Sequence, residues 1–176
     1  MPTTSPLVVT LWETYGSNMA AVAARVGEIL GIPVHEQGLT SEQVKLATAD
    51  RTRATADLAR ASTAEVIASA EGGGVIQGRN GAFILRDRPN TLHVKLDGIA
   101  ERRAERAAEL AGIPLGEAVT RQELEDEVRV QISLQAFQWD PRDIEAYDAI
   151  VNTSFQDTEE TAQFIAVMAR VRGGLP

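Results

Sequence analysis

An apolar run at residues 7–11 leads through Trp12-Glu13-Thr14 into Tyr15-Gly16-Ser17-Asn18, and from there the pattern changes to a helical period. A buried strand, a small-residue turn and a helix start together aim free backbone N–H groups, and the positive end of a helix dipole, at an anion. Two more segments carry cations to comparable places. Gly78-Arg79-Asn80 follows the apolar run 74–77, and Arg102, Arg103 and Arg106 follow the run 91–96. A guanidinium fork binds oxygens in pairs, so arginines at strand ends favour phosphate. The chemistry these residue types could support is the holding and transfer of phosphoryl groups.

The elements that must position them alternate. Residues 7–11 read as a strand buried on both faces. Met19, Val22, Ala23, Val26, Ile29 and Leu30 share one helical face, with Gly31 as C-cap and Pro33 barring continuation. Residues 33–37 read as a short second strand. Thr40-Ser41-Glu42-Gln43 and Ser62-Thr63-Ala64-Glu65 both fit a capping box, which predicts two helices. The first runs to about Arg60, is rich in alanine, carries Leu46 and Leu58, and is a candidate contact surface for a second copy or partner. The second stops at the glycines 72–74. A strand over 74–77 precedes a short helix with Phe83, Ile84 and Leu85. Along 91–96, Leu92, Val94 and Leu96 share a face, which leaves His93 pointing outward. His35 falls in a turn and is given no role. A helix over 99–110 carries the arginines. Thr120-Arg121-Gln122-Glu123 predicts a further helix with Leu124, Val128 and Ile132 on one face, ended by Trp139-Asp140-Pro141, with Trp139 as a packing anchor. After a last strand at 149–151, Asp157-Thr158-Glu159-Glu160 caps a helix with Phe164, Ile165 and Met168 on one face. Strands alternating with helices imply an α/β sandwich around a mostly parallel sheet. Ligands of such sheets bind outside the carboxyl ends of the strands, where the three segments above converge.

Composition narrows the alternatives. A chain of 176 residues with 44% apolar content is long enough for one core covered on both sides. Its net charge of -8 argues against a broad nucleic-acid footprint. The absence of cysteine excludes disulfides, thiol catalysis and Cys-ligated zinc. A Mg²⁺ site of carboxylates and substrate phosphates stays open. No apolar run approaches the ~20 residues that span a bilayer. No basic-then-apolar leader stands at the N-terminus. A soluble cytoplasmic protein without membrane contact is the expectation.

The segments Tyr15-Gly16-Ser17, Leu30-Gly31-Ile32-Pro33, Val75-Ile76-Gln77-Gly78-Arg79, Phe83-Ile84-Leu85-Arg86-Asp87-Arg88-Pro89-Asn90 and Tyr147-Asp148-Ala149-Ile150-Val151-Asn152-Thr153-Ser154 occur in this order. In them the chain resembles the cytidylate-kinase-like group of P-loop nucleoside monophosphate kinases, over roughly residues 7–170. The resemblance implies a three-layer α/β sandwich with a five-stranded parallel sheet. It implies a single kinase-like domain over 1–176, with a monophosphate-binding region near 36–70 and a lid near 100–140. It also implies transfer from ATP to a small nucleotide, CMP or dCMP, with Mg²⁺, and admits a homo-oligomer. Gly16, Ser17 and Asn18 then lie in the ATP phosphate loop, and Arg79 contacts the acceptor. Arg102, Arg103 and Arg106 lie at the lid entrance. Asp126 and Arg129 match a D-x-x-R pattern in the lid, so that Arg102, Arg106 and Arg129 face the transferring group.

The loop departs from the pattern. Against G-x-x-x-x-G-K-[ST], Glu13 stands at the first glycine, Asn18 at the last, Met19 at the lysine and Ala20 at the hydroxyl position. Asparagine tolerates the left-handed backbone. Met19 removes a cation for the β- and γ-phosphates, and Ala20 removes a hydroxyl that helps hold Mg²⁺. Asp97 and Glu13 are the carboxylates placed to offset that loss. Two readings follow: a phosphotransferase of reduced or altered activity, or a non-catalytic homologue that binds a nucleotide or anion and acts through a partner. The alternative for Arg102, Arg103 and Arg106 is a solvated helix face paired with Glu101, Glu105 and Glu109.

Overall fold

The computed structural model describes residues 5–36, 52–78 and 80–175. Arg79, Leu46 and the Thr40–Gln43 capping box lie outside these residues, as does the Leu58 side chain. The strands are β1 (Val8–Glu13), β2 (Val34–His35), β3 (Gly74–Gln77), β4 (Thr91–Asp97) and β5 (Ala149–Asn152). They form one sheet in the order β2-β3-β1-β4-β5, and every pairing is parallel. The helices are α1 (Met19–Leu30), α2 (Thr52–Glu71), α3 (Gly81–Ile84), α4 (Ala100–Ala111), α5 (Leu115–Phe137) and α6 (Thr158–Gly173), with a 3-10 turn at Ile144–Ala146. The five-stranded α/β architecture is therefore the one the sequence predicts.

Alternation along the strands divides the core. Val9, Leu11, Leu92, Val94 and Leu96 face α1 and α6, where Val22, Ala23, Val26, Ile165 and Ala169 complete a fully apolar layer. Each large side chain removed from water there contributes about 1.5–3 kcal/mol. On the opposite face Val8 and Ile76 meet Val66 and Ala70 of α2 and Leu85 beyond α3. This second layer is partly polar, because Thr10 and His93 are both buried in it.

Several sequence expectations change. The 62–65 capping box lies inside α2, where the Thr63 hydroxyl donates back to Ala59 O at 2.7 Å. Thr120 likewise lies inside α5 and donates to Gly116 O at 3.1 Å. Helix α5 starts five residues before Thr120, at Leu115 behind Pro114. In both cases a Ser/Thr-x-x-Glu pattern is local, and neighbouring helix packing overrides it. Leu124 and Phe164 are exposed, at 60% and 58%, rather than on the buried faces. The Asp157–Glu160 capping box forms in both directions. Trp139 is the packing anchor expected, stacked on Phe83 with centroids 5.7 Å apart.

His93 is buried rather than outward. Helices cover both faces of a parallel sheet, so neither face of β4 meets water. Its Nδ1 lies 2.7 Å from Thr10 Oγ1. Burial lowers its pKa from the ordinary 6.5, and the Asp148 carboxylate offsets this only in part.

The turn from β1 to α1 runs through Gly16 at φ 84 and Asn18 at φ 63. Asn18 does adopt the left-handed conformation, and it precedes Met19 as the N-cap of α1. Gly16 is required for a second reason. A Cβ at this position would stand 2.3 Å from the carbonyl oxygen of Arg103 on α4.

Two stability tests follow from these contacts. An unfolded chain protonates His93 more readily than the folded one does. The His93 contribution is therefore present above about pH 6.5 and fades as the pH falls below it. The melting temperature of His93→Gln should fall less than that of the parent between about pH 7.5 and 5.5. Parallel slopes would show that His93 carries no such linkage. Gly16→Ala should lose about 1–3 kcal/mol in urea unfolding, and an unchanged midpoint would contradict the close approach of α4.

Candidate functional site

Helical spacing brings α4 and α5 onto the 13–19 turn. Arg103 and Arg106 are three apart on α4, and Asp126 and Arg129 are three apart on α5, so each pair shares a face. All four side chains reach the turn. Arg103 Nη1 donates to Tyr15 O at 2.8 Å and to Asp126 Oδ2 at 2.9 Å, and its Nε donates to Gly98 O at 3.1 Å. Arg106 Nη1 donates to Gly16 O and to Thr153 Oγ1, both at 3.1 Å, and Nη2 donates to Thr153 O. Arg129 Nη1 donates to Glu13 O at 3.0 Å and lies 3.4 Å from Glu13 Oε1.

Carboxylates take the turn's N–H groups. Tyr15 N–H donates to Asp126 Oδ1 at 2.6 Å, and Met19 N–H donates to Glu13 Oε2 at 2.9 Å. Ser17 N–H donates to Thr14 O at 3.2 Å. Three N–H groups of this turn and helix start, those of Tyr15, Ser17 and Met19, are thus turned to internal acceptors. The Met19 side chain packs against the apolar core.

The predicted site residues separate accordingly. Gly16, Ser17 and Asn18 form the turn, with Ser17 buried and the Asn18 amide donating to Thr158 Oγ1 at 3.2 Å. Arg106 and Arg129 come to it. Arg102 is exposed on α4 and pairs with Glu105 at 3.4 Å, the solvated-face alternative. Arg79 cannot be placed, since it lies outside the described residues.

Lys95 and Trp12 went unread in the sequence. Both are buried, and the Lys95 ammonium lies 5.2 Å from the Trp12 ring centroid and 3.2 Å from Asp97 Oδ2. The available signal was a lysine inside a strand of a sheet covered on both faces. Asp97 Oδ1 accepts from Thr14 Oγ1 at 2.9 Å and from Gly98 N–H at 2.8 Å. Burial alone would raise the Asp97 pKa, but Gly98, Thr14 and Lys95 together hold it below the usual carboxylate range. The Asp97 and Glu13 oxygens are therefore committed to donors of the chain itself. Ala20 offers no oxygen, and no group of three or more potential metal-ligating side chains occurs among the described residues. These side chains do not fit a Mg²⁺ ion held by the protein.

Beside the turn lies a cavity of about 410 Å³ between α1, α4 and α6, lined by Ser17, Asn18, Arg106, Glu109, Gln156 and Asp157 among others. Two of its groups are incompletely matched. Gln156 Oε1 is buried without a hydrogen-bond partner among the described residues. Arg106 has only neutral acceptors, with no carboxylate pair among the described residues. The cavity therefore offers a buried acceptor and one guanidinium bonded only to neutral acceptors, with the Glu109 and Asp157 carboxylates on the same lining, a set that can meet a ligand carrying both a polar N–H group and an anionic group.

Comparison with known proteins bears on the fold and the family. Among solved structures, an uncharacterized protein from Eubacterium ventriosum aligns with a TM-score of 0.77 at 20% identity, covering 94% of this chain and 99% of that one. A gluconokinase from Sinorhizobium meliloti aligns with a TM-score of 0.57 at 17% identity, covering 97% and 95%. At these identities the likeness is one of fold. A protein of Corynebacterium glutamicum named uronate isomerase is 29% identical over 126 residues, which is 72% of this chain and 24% of that protein. The chain thus spans about a quarter of that relative's length. The family model described as "Cytidylate kinase-like family" matches residues 44–155. The turn at 13–19 precedes the matched segment, whereas α4, α5 and the start of the cavity's far wall lie within it. The chain belongs to the cytidylate kinase-like family.

Proposed function

We propose that the protein is a nucleotide-dependent phosphotransferase of low turnover. It takes the nucleoside end of ATP into the cavity beside the β1–α1 turn and passes a phosphoryl group to a small acceptor, CMP or dCMP. The observation that carries this reading is Arg106, an arginine without a carboxylate partner among the described residues, in a cavity that adjoins the turn. Gln156 adds selectivity. A buried acceptor without a donor costs roughly 1–3 kcal/mol, and the exocyclic amine of adenine is a donor that would relieve it. A cavity of this size is within the usual range for a small-molecule site. Arg79, on the family resemblance, is the proposed contact of the acceptor.

A second reading, nucleotide binding without transfer, is favoured by Met19 and Ala20. Without a lysine and a hydroxyl, positioning and charge neutralisation at the phosphates are weakened together.

Calorimetry with ATP, followed by an ADP-production assay with CMP, dCMP and UMP as acceptors, separates the readings. Glucuronate joins the acceptor panel because of the name of the Corynebacterium glutamicum relative. ATP should bind, inosine triphosphate should bind more weakly, and Gln156→Ala should weaken ATP roughly tenfold. Slow, CMP-dependent ADP production supports the phosphotransferase. ATP binding with no ADP above blank supports the second reading, and no ATP binding overturns both.

A further inference from the structure

The turn beside the proposed nucleotide cavity holds an anion of the chain itself. Glu13 is the last residue of β1, and its carboxylate lies between two donors. The Met19 N–H, first in α1, reaches Oε2 at 2.9 Å, and Arg129 Nη1 stands 3.4 Å from Oε1. The two side chains are only 16% and 10% exposed. A helix N-terminal N–H group beside a guanidinium is the donor set that holds a phosphoryl group elsewhere. The Arg129 side chain is also not fully used. Its Nε is buried with no hydrogen-bond partner among the described residues, and the nearest further carboxylate, Glu125, is 3.8 Å away.

We propose that Glu13 acts as an internal anion at this position, and that a terminal phosphoryl group of the nucleotide and the Glu13 carboxylate exclude one another there. Arg129 then serves both: it neutralises Glu13 in the free protein and the phosphoryl group once Glu13 has left. Three features require exchange rather than joint occupancy. The Met19 N–H has one hydrogen to give. Glu13 and a phosphoryl group carry like charge, which is costly at contact distance in a partly buried site. Arg129, the one guanidinium among the described residues that touches Glu13, is itself held by Glu13 O. Asp126 retains the Tyr15 N–H throughout, anchored by Arg103. The exchange gives Met19 a reason to lack a cation, since Arg129 supplies the charge from α5.

This inference rests on the nucleotide reading of the adjoining cavity, so the test probes the two separately. Pyrophosphate is the probe for the exchange and adenosine the probe for the cavity. Both are titrated by calorimetry into the whole chain, as parent, Glu13→Gln, Glu13→Ala and the double variant Glu13→Ala/Arg129→Met. Pyrophosphate should bind Glu13→Ala and Glu13→Gln at least roughly tenfold more tightly than the parent, through loss of like-charge repulsion. The double variant should lose that gain, while adenosine binds all four alike. Pyrophosphate affinity unchanged in both single variants overturns the exchange, as does a gain that survives Arg129→Met. If Glu13→Ala fails to fold, the isosteric Glu13→Gln decides. Absent adenosine binding with a pyrophosphate gain in the single variants would sink the nucleotide reading and leave the exchange standing.

Discussion

The β1–α1 turn is held by charge taken from the rest of the chain. Two carboxylates and three arginines converge on a few backbone groups, and they come from β1, α4 and α5. The Arg103–Asp126 pair at 2.9 Å ties α4 to α5 and both to Tyr15. The Arg129–Glu13 pair ties α5 to the end of β1 and the start of α1. Breaking one partner of a buried pair of this kind costs about 3–5 kcal/mol, because the other charge is left stranded. The region expected to act as a lid is therefore docked on the turn in this structure. Its arginines touch backbone carbonyls at the place where a phosphate loop would meet phosphate.

This arrangement sorts the cations by availability. Arg103 is committed to Asp126 and to two carbonyls, Lys95 to Asp97, and Arg129 to Glu13. Arg106 makes only neutral contacts among the described residues. Under the proposed reading, a ligand anion in the cavity would meet the Arg106 guanidinium, with Glu109 and Asp157 on the same lining, and would gain a second guanidinium only by displacing a carboxylate. The low turnover proposed for this protein would follow from that architecture without any defect of the fold. The apolar layer under α1 and α6 is complete, and the strand order is undisturbed.

Much of this was legible in the sequence. The periodicity of Met19 to Leu30, the Gly31 C-cap and the Asp157–Glu160 box each gave an element whose local chemistry and packing agree. The fold followed from alternating strands and helices. Capping patterns at 62–65 and 120–123 failed because a Ser or Thr inside a long helix can bond back to the preceding turn, as Thr63 and Thr120 do. His93 and Lys95 failed for one shared reason: strand alternation was read as if one face met water, whereas this sheet is covered on both. For the site, position was readable and partnership was not. Gly16, Ser17, Asn18, Arg106 and Arg129 do converge, yet that Glu13 and Asp126 would occupy the turn's N–H groups depends on contacts 6 and 111 residues apart in the chain. Spacing cannot show which of several nearby carboxylates wins a donor.

The central claim is that nucleotide phosphate and Glu13 compete for the same donors. The most direct measurement follows the Met19 amide and the Arg129 side-chain N–H resonances by nitrogen-15 NMR while ATP is added to the unmodified protein. The account predicts that both move together, with the same saturation as ATP binding. Saturable ATP binding that leaves both resonances in place would contradict it.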